Sequence, residues 1–116
     1  MKVSNTEPLI ILFKVGKLWI LEKIYNKIVI AEAVERELLK KPDGQIIIAN
    51  KWLQVEKVPD SQLLRILQSM LDIGEAETIL LAETKQLPVL LDEKKGRNRA
   101  RALGLAVQGS LGTIVQ

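Results

Sequence analysis

The sequence Pro88-Val89-Leu90-Leu91-Asp92-Glu93 is followed at once by Lys94-Lys95-Gly96-Arg97-Asn98-Arg99-Ala100-Arg101. A short apolar run behind a proline is typical of a buried strand, and the charged stretch after it is typical of a helix. Asp92 and Glu93 therefore lie where the strand ends and the helix begins. In open α/β sheets, ligands bind in the crevice outside the carboxyl ends of the strands. We therefore expect this segment to carry part of a functional site.

Length and composition predict a single globular domain that spans residues 1–116. Hydrophobic residues make up 47% of the 116 residues, and the formal net charge is +3. This composition is sufficient for a core, and the small positive excess mildly favours an anionic partner. The sequence contains no Cys and no His. Disulfides and thiolate metal sites are therefore excluded, and carboxylates become the first candidates for chemistry.

The longest apolar run predicts no membrane partner. It covers residues 8–13, which is far too short for a membrane span. The start of the chain also lacks the basic lead and the small-residue cleavage site of a signal peptide. We therefore expect a cytoplasmic protein.

Strands and helices are predicted to alternate along the chain. The strands are expected at residues 3–4, 27–30, 53–56, 88–91 and 105–107. The helices are expected at residues 6–15, 18–24, 31–40, 61–71, 73–85, 94–103 and 110–115. Either Asp60 or Ser61 can cap the fourth helix, and residues 46–48 fit a strand or a helical turn. Pro42-Asp43-Gly44 is interpreted as a break. The alternation predicts an α/β fold in which helices cover both faces of a parallel sheet.

Polar residues near strand ends and helix starts form the candidate site. They are Asn5, Glu37, Glu75 and Asp92. A parallel sheet whose strand order reverses beside its first strand would bring these positions to one crevice. Clustered carboxylates without His or Cys are hard oxygen ligands, which suit Mg²⁺ or Mn²⁺. Such an ion polarises a phosphate and activates water, so that no histidine base is required.

Three of these residues also have an ordinary explanation at a helix start. Asn5 and Asp92 are good N-cap residues, and Glu93 would be favoured by the helix dipole. Glu75 lies three residues after Asp72, which is the spacing of a capping box. At these positions the structural and the functional interpretations both stay open.

Glu37 also has an ordinary explanation, on the surface of its helix. It lies four residues before Lys41, which is the spacing of a common surface ion pair. Glu35 flanks the apolar stripe of the same helix on its other side, so periodicity alone does not choose between the two acids.

The helix after Glu93 carries a cluster of basic residues. They are Lys94, Lys95, Arg97, Arg99 and Arg101. Such a cluster is most often a solvated helix face. The sequence contains few aromatic residues, so binding of a single strand by base stacking has only weak support. A dinucleotide or nucleoside triphosphate ligand is disfavoured, because the sequence has no GxGxxG or Walker motif.

Five motifs occur in an order that resembles PIN-domain proteins, and most closely an uncharacterised PIN-like branch related to VapC-type toxins. The motifs are residues 3–10 (VSNTEPLI), 33–38 (AVEREL), 71–77 (LDIGEAE), 90–93 (LLDE) and 109–112 (GSLG). The resemblance implies a three-layer α/β/α sandwich with a central parallel sheet. It also implies a Mg²⁺- or Mn²⁺-dependent ribonuclease, often a toxin that a small antitoxin neutralises.

The resemblance also assigns the site residues. It implies Glu37 rather than Glu35 at the second acidic position, Glu75 at the third and Asp92 at the fourth, and these three would hold the metal. Supporting positions are Thr6, Glu93 and Ser110.

The sequence departs from the family pattern at two places. Asn5 occupies the first acidic position, where active members normally have Asp. The chain stops at Gln116, where relatives usually continue, so we expect a domain that is short at its C-terminus.

The expected function is therefore a toxin-type endoribonuclease that hydrolyses RNA phosphodiesters. RNA contacts are expected from Lys94, Lys95, Arg97 and Arg99, and the other expected partners are an antitoxin and a second copy in a homodimer. The alternative is a non-catalytic PIN-like module that binds RNA or a protein, because Asn5 removes a charge. A small-molecule phosphatase or nucleotide-binding enzyme is a third class, disfavoured by the lack of a phosphate loop.

Overall fold

The computed structural model describes residues 1–114 and contains a five-stranded sheet flanked by helices. The strands are Lys2–Ser4 (β1), Ile28–Ala31 (β2), Leu53–Glu56 (β3), Val89–Leu90 (β4) and Val107–Gln108 (β5). The helices are Thr6–Lys14 (α1), Trp19–Tyr25 (α2), Glu32–Leu39 (α3), Pro42–Ile48 (α4), Gln62–Gln68 (α5), Ile73–Lys85 (α6), Lys94–Ala102 (α7) and Ser110–Ile114 (α8). Within this part of the chain, none of the helices is long and apolar enough to cross a lipid bilayer.

The strand order is β3-β2-β1-β4-β5, and every neighbouring pair is parallel. The chain moves outward from β1 to β3 and then returns to β4 on the other side of β1. The order therefore reverses beside β1, which opens a crevice at the carboxyl ends of β1 and β4. The predicted parallel α/β fold is confirmed.

Two apolar clusters cover the two faces of the sheet and make the three layers of the fold. Successive residues of β2 point to opposite faces, so Ile28 and Ile30 join one cluster and Val29 and Ala31 join the other. The first cluster includes Leu9, Leu12, Leu21, Val34, Leu38 and Ile47, which come from α1 to α4. The second includes Leu64, Leu67, Ile79 and Ala100, which come from α5 to α7. The α/β/α sandwich is therefore confirmed.

The segment after α3 differs from its prediction. Pro42-Asp43-Gly44 does not end a structured region but begins α4, with Pro42 in the first turn. A proline is tolerated there because the first amide groups of a helix have no partner within it. Residues 46–48 are therefore helical. Gly44 packs so closely on α3 that a side chain would collide with the Leu38 carbonyl.

Smaller differences concern element ends. Ser61, not Asp60, caps α5, since its hydroxyl accepts a hydrogen bond from the Leu64 amide at 3.1 Å. The last strand is Val107–Gln108 rather than residues 105–107, because Leu105 turns into the core and its amide bonds the Ala100 carbonyl. The predicted end of the last helix at Val115 lies outside the described residues.

Candidate active site

A cavity of about 440 Å³ opens at the carboxyl edge of the sheet, where the strand order reverses. Its lining residues are Asn5, Thr6, Glu7, Glu37, Asp72, Glu75, Asp92 and Glu93. The four predicted site residues therefore face one cavity. Glu35 does not line it.

Asn5 lies at the floor of the cavity, directly after β1. The backbone N–H of Asn5 donates a hydrogen bond to the Leu90 carbonyl at 3.0 Å, which joins the ends of β1 and β4. Asn5 is in the N-cap position of α1, yet its side chain makes no capping hydrogen bond. The side chain is buried, and Oδ1 has no partner in the described residues. The ordinary interpretation of Asn5 as a side-chain cap is therefore wrong.

Glu37 is held in the cavity by α1 and by the start of α6. The Thr6 hydroxyl donates to Glu37 Oε2 at 2.8 Å. A side chain on Gly74 would collide with Glu37 Oε1, and its Cβ would lie 3.5 Å from Asn5 Oδ1. Glycine at this position therefore lets α6 approach the Glu37 carboxylate closely. Within residues 1–114, Glu37 forms no ion pair with Lys41, so that alternative is wrong.

Glu75 combines a structural role with a place in the cavity wall. The predicted capping box is present, because Asp72 Oδ1 accepts from the Glu75 amide at 2.8 Å and Glu75 Oε1 accepts from the Asp72 amide at 3.4 Å. Burial, assisted by Glu93 and Asp72, raises the pKa of Glu75 to about 8. Glu75 is therefore mostly protonated at neutral pH and can donate to Glu93. In its ionised form, Oε2 has no donor among the described residues.

Asp92 faces the cavity from the end of β4. Its Oδ1 accepts from the Ser110 amide at 2.8 Å, so Asp92 bonds the start of α8 and does not cap α7. The N-cap of α7 is Glu93, whose Oε2 accepts from the Gly96 amide at 2.7 Å. Bonds from the Gly96 and Lys95 amides lower the pKa of Glu93. Asp92 Oδ2 is buried and has no partner in the described part of the chain.

The basic helix α7 starts at the rim of this cavity. Its exposed cations are Lys94, Lys95, Arg99 and Arg101. Arg97 is half-buried, and its Nη1 would lie 3.4 Å from a Cβ placed on Gly109, next to Asp92. No ion pair within residues 1–114 involves any of these cations. The face is therefore free to meet an anion.

Two acids in the lining, Glu7 and Asp72, were missed by the sequence analysis. Glu7 is exposed in the first turn of α1, and Asp72 is the exposed N-cap of α6. The available signal was proximity in sequence: each lies within three residues of a predicted site residue. Helix capping and the helix dipole fully explain an acid at each position, so neither residue was assigned to the site.

The unpaired oxygens in the cavity fit a hard cation. Four buried side-chain atoms of the described residues lack a hydrogen-bond partner, and three of them belong to cavity residues: Asn5 Oδ1, Glu75 Oε2 and Asp92 Oδ2. A buried unpaired polar group costs roughly 1–3 kcal/mol, so a ligand that satisfies these atoms would relieve the cost. Oxygen donors of this type suit Mg²⁺ or Mn²⁺. No three acids of residues 1–114 are already gathered into a cation cage.

A family model described as DUF3368, a PIN domain, matches residues 1–116, and the chain therefore belongs to the PIN-domain family. PIN domains are generally nucleases and generally depend on a divalent metal. Among curated proteins, no match to the chain is found. The resemblance to PIN domains is confirmed, whereas the relation to VapC-type toxins stays a prediction.

Proposed function

We propose that the protein is a divalent-cation-dependent endoribonuclease of the toxin–antitoxin type. Glu37, Glu75 and Asp92 would hold Mg²⁺ or Mn²⁺, and Asn5 would add a neutral oxygen. The observation that carries the proposal is a set of three buried oxygens that line one acidic cavity: Asn5 Oδ1 and Asp92 Oδ2 have no partner, and Glu75 Oε2 has none once Glu75 is ionised. They come from the connections that follow β1 and β4 and from the first turn of α6, in a fold whose family is generally nucleolytic.

The supporting residues orient the carboxylates. Thr6 fixes Glu37 through Oε2, and the Ser110 amide fixes Asp92 through Oδ1. Each contact leaves the second oxygen of its carboxylate for a ligand. Glu75 is mostly protonated at neutral pH, so it would have to release its proton to act as a ligand. The chemistry that a divalent cation supplies at such a site is polarisation of a phosphate and activation of water.

Substrate attraction is assigned to α7. Lys94, Lys95 and Arg99 are exposed at or near the rim, and Arg97 lies beside Asp92. Cations at such positions steer a polyanion toward the cavity, and this effect weakens with salt because bound counterions are released.

The second candidate function is a non-catalytic PIN-like module that binds RNA or a protein. Asn5 favours it, because an amide carries no formal charge and cannot accept a proton from water at neutral pH. The absence of a preformed acidic cage within residues 1–114 points in the same direction. The toxin assignment adds two expected partners, a small antitoxin and a second copy of the chain.

The first test is cleavage of a mixed single-stranded RNA pool with Mn²⁺, with Mg²⁺ and with EDTA. We expect cleavage by the parent only with a divalent cation. Asp92→Asn should lower the rate by ~10²–10³-fold, the usual consequence of removing one strong stabilising group from an active site. The amide retains the oxygen that the Ser110 amide bonds, so the fold should be preserved.

The matched control is Asp60→Asn, which makes the same chemical change at an exposed residue outside the cavity. This variant should cleave at the parental rate. If the parent and Asp92→Asn degrade RNA equally, or if neither does so above buffer, the nuclease proposal fails and the binding module becomes the better account.

A further inference from the structure

A second groove, of about 460 Å³, adjoins the acidic cavity. Its lining residues are Ala33, Arg36, Glu37, Lys40, Asp72 and Ile73. Glu37 and Asp72 line both spaces, so the groove and the cavity are neighbours on the surface. A ligand that extends beyond the cavity on this side therefore meets the groove.

The groove follows one face of α3. Ala33, Arg36, Glu37 and Lys40 have the spacing of neighbours on one helical face, and α3 packs against α6, which begins at Ile73. Glu37 is the member of this row that also lines the cavity, and Arg36 and Lys40 lie on either side of it in the sequence. Lys40 directly follows α3, so the groove reaches the C-terminal end of that helix.

The groove is lined by two cations, Arg36 and Lys40, and by two acids, Glu37 and Asp72, so its positive charge lies at Arg36 and Lys40 and not over the whole lining. The Arg36 side chain is 59% exposed, and its nearest acid, Glu77, is 3.9 Å away. Lys40 is exposed, and no ion pair within residues 1–114 involves it. The two cations are one helical turn apart. Ile73, which is 55% exposed, places an apolar surface beside them.

We propose that this groove binds the sugar–phosphate segment of single-stranded RNA that adjoins the cleaved bond. The inference rests on the proposed nuclease function and adds a second substrate-binding surface to it. An occupant of both neighbouring spaces would present one anionic group to Arg36 and Lys40 and another group to the cavity. Successive phosphates of one strand satisfy both conditions, and Ile73 can contact the attached sugar or base.

This placement gives the cavity a cationic flank on each side. The α7 flank begins beside Glu93, and the α3 flank begins beside Glu37. The acids between them repel a polyanion, so attraction on both sides would hold the strand across the cavity.

The test is binding of a fluorescently labelled single-stranded RNA in EDTA, measured by anisotropy over a series of salt concentrations. EDTA prevents cleavage, so that binding is measured separately from catalysis. Arg36→Gln/Lys40→Gln should bind several-fold more weakly than the parent. Each phosphate contact contributes ~0.7 to the slope of log affinity against log salt, so the slope should fall by about 1.4.

The matched control is Lys14→Gln/Lys17→Gln, which removes the same charge from exposed residues at and beyond the far end of α1. Weaker binding by the groove variant than by this control supports the groove, even if the parent fails to cleave RNA and the nuclease proposal falls. Equal binding by the two variants overturns the groove, even if the parent is an active ribonuclease. If Arg36→Gln/Lys40→Gln loses binding to a polyglutamate probe but binds RNA like the parent, the RNA proposal is also overturned and the groove is a protein-binding surface.

Discussion

Two polar regions of this sheet, one partly buried and one lining the cavity, differ in whether their atoms are paired. In the first, which we name the Lys2 cluster (Lys2, Tyr25 and Gln108), Lys2 Nζ donates to the Tyr25 hydroxyl at 3.0 Å and to Gln108 Oε1 at 2.7 Å. The Lys2 ammonium also lies 4.4 Å from the centre of the Tyr25 ring. This cluster joins β1, α2 and β5 through satisfied polar groups.

The acidic cavity shows the opposite arrangement. Asn5 Oδ1, Glu75 Oε2 and Asp92 Oδ2 are buried and, among the described residues, have no partner. Buried polar atoms are normally paired, because an unpaired one loses its bond to water without replacement. The comparison indicates that the Lys2 cluster serves the fold, whereas the cavity keeps an unfavourable arrangement that a ligand can satisfy.

The largest effect is expected from Asn5→Asp, which adds a third carboxylate to the two, Glu75 and Asp92, that have unpaired oxygens. Asn5→Asp should tighten Mn²⁺ binding, measured by calorimetric titration. It should also raise the rate of RNA cleavage, by up to ~10²–10³-fold if a strong electrostatic group is restored. In EDTA the same variant should unfold at lower temperature, since the new buried charge has no partner.

The control is Asn5→Asp/Asp92→Asn, which has the net charge of the parent but moves one carboxylate. It should lose the gain in activity. Should Asn5→Asp fold normally and yet stay as inactive as this double variant, the unpaired oxygens do not form a nuclease site.

The sequence was sufficient to predict the fold and the meeting point of the site residues. Apolar strands that alternate with helices leave few topologies, and parallel strands place their carboxyl ends at one edge. Asn5 and Asp92 follow strands, so their convergence follows from the order of the sheet. β2 is apolar at all four of its positions, which suits burial of both faces of the sheet.

Features set by a shift of one residue could not be predicted. Pro42 is compatible with the end of one helix or with the start of the next, and only packing on α3 decides. The choice between Asp92 and Glu93 as the cap of α7 depends on where β4 stops. Whether Asn5 Oδ1 is paired depends on which donors lie nearby in three dimensions, and a local sequence pattern does not predict this.

A smaller effect is expected in the paired region, where Lys2→Met removes the cation and retains an apolar chain. Loss of hydrogen bonds from a charged donor should lower the free energy of unfolding by about 1.5–3 kcal/mol, measured by urea denaturation. The rate of RNA cleavage per folded molecule should stay unchanged. Lys27→Met, at an exposed position before β2, is the matched control and should have little effect. Equal stability of the two variants would show that the Lys2 cluster does not hold the sheet together.

The smallest expected effect is the change in folding stability that Glu75 causes over one pH unit. Its pKa is raised from 4.5 to about 8 by burial, with Glu93 and Asp72 contributing, so the folded state keeps a proton that the unfolded chain has released between these values. The stability that this proton provides is complete below pH ~4.5 and is lost as pH rises toward 8. In EDTA, the free energy of unfolding should therefore fall by at most about 1.4 kcal/mol between pH 6 and pH 7.

Glu75→Gln should remove this pH dependence, because a neutral amide keeps an oxygen for the Asp72 amide and can donate permanently to Glu93. Glu83→Gln, on the same helix but outside the cavity, should keep the parental slope. Urea denaturation of the parent and the two variants at pH 6 and at pH 7 measures the difference. A parental slope in Glu75→Gln would mean that another group carries the pH dependence. The unfavourable arrangement in the cavity would then rest on Asn5 and Asp92 alone.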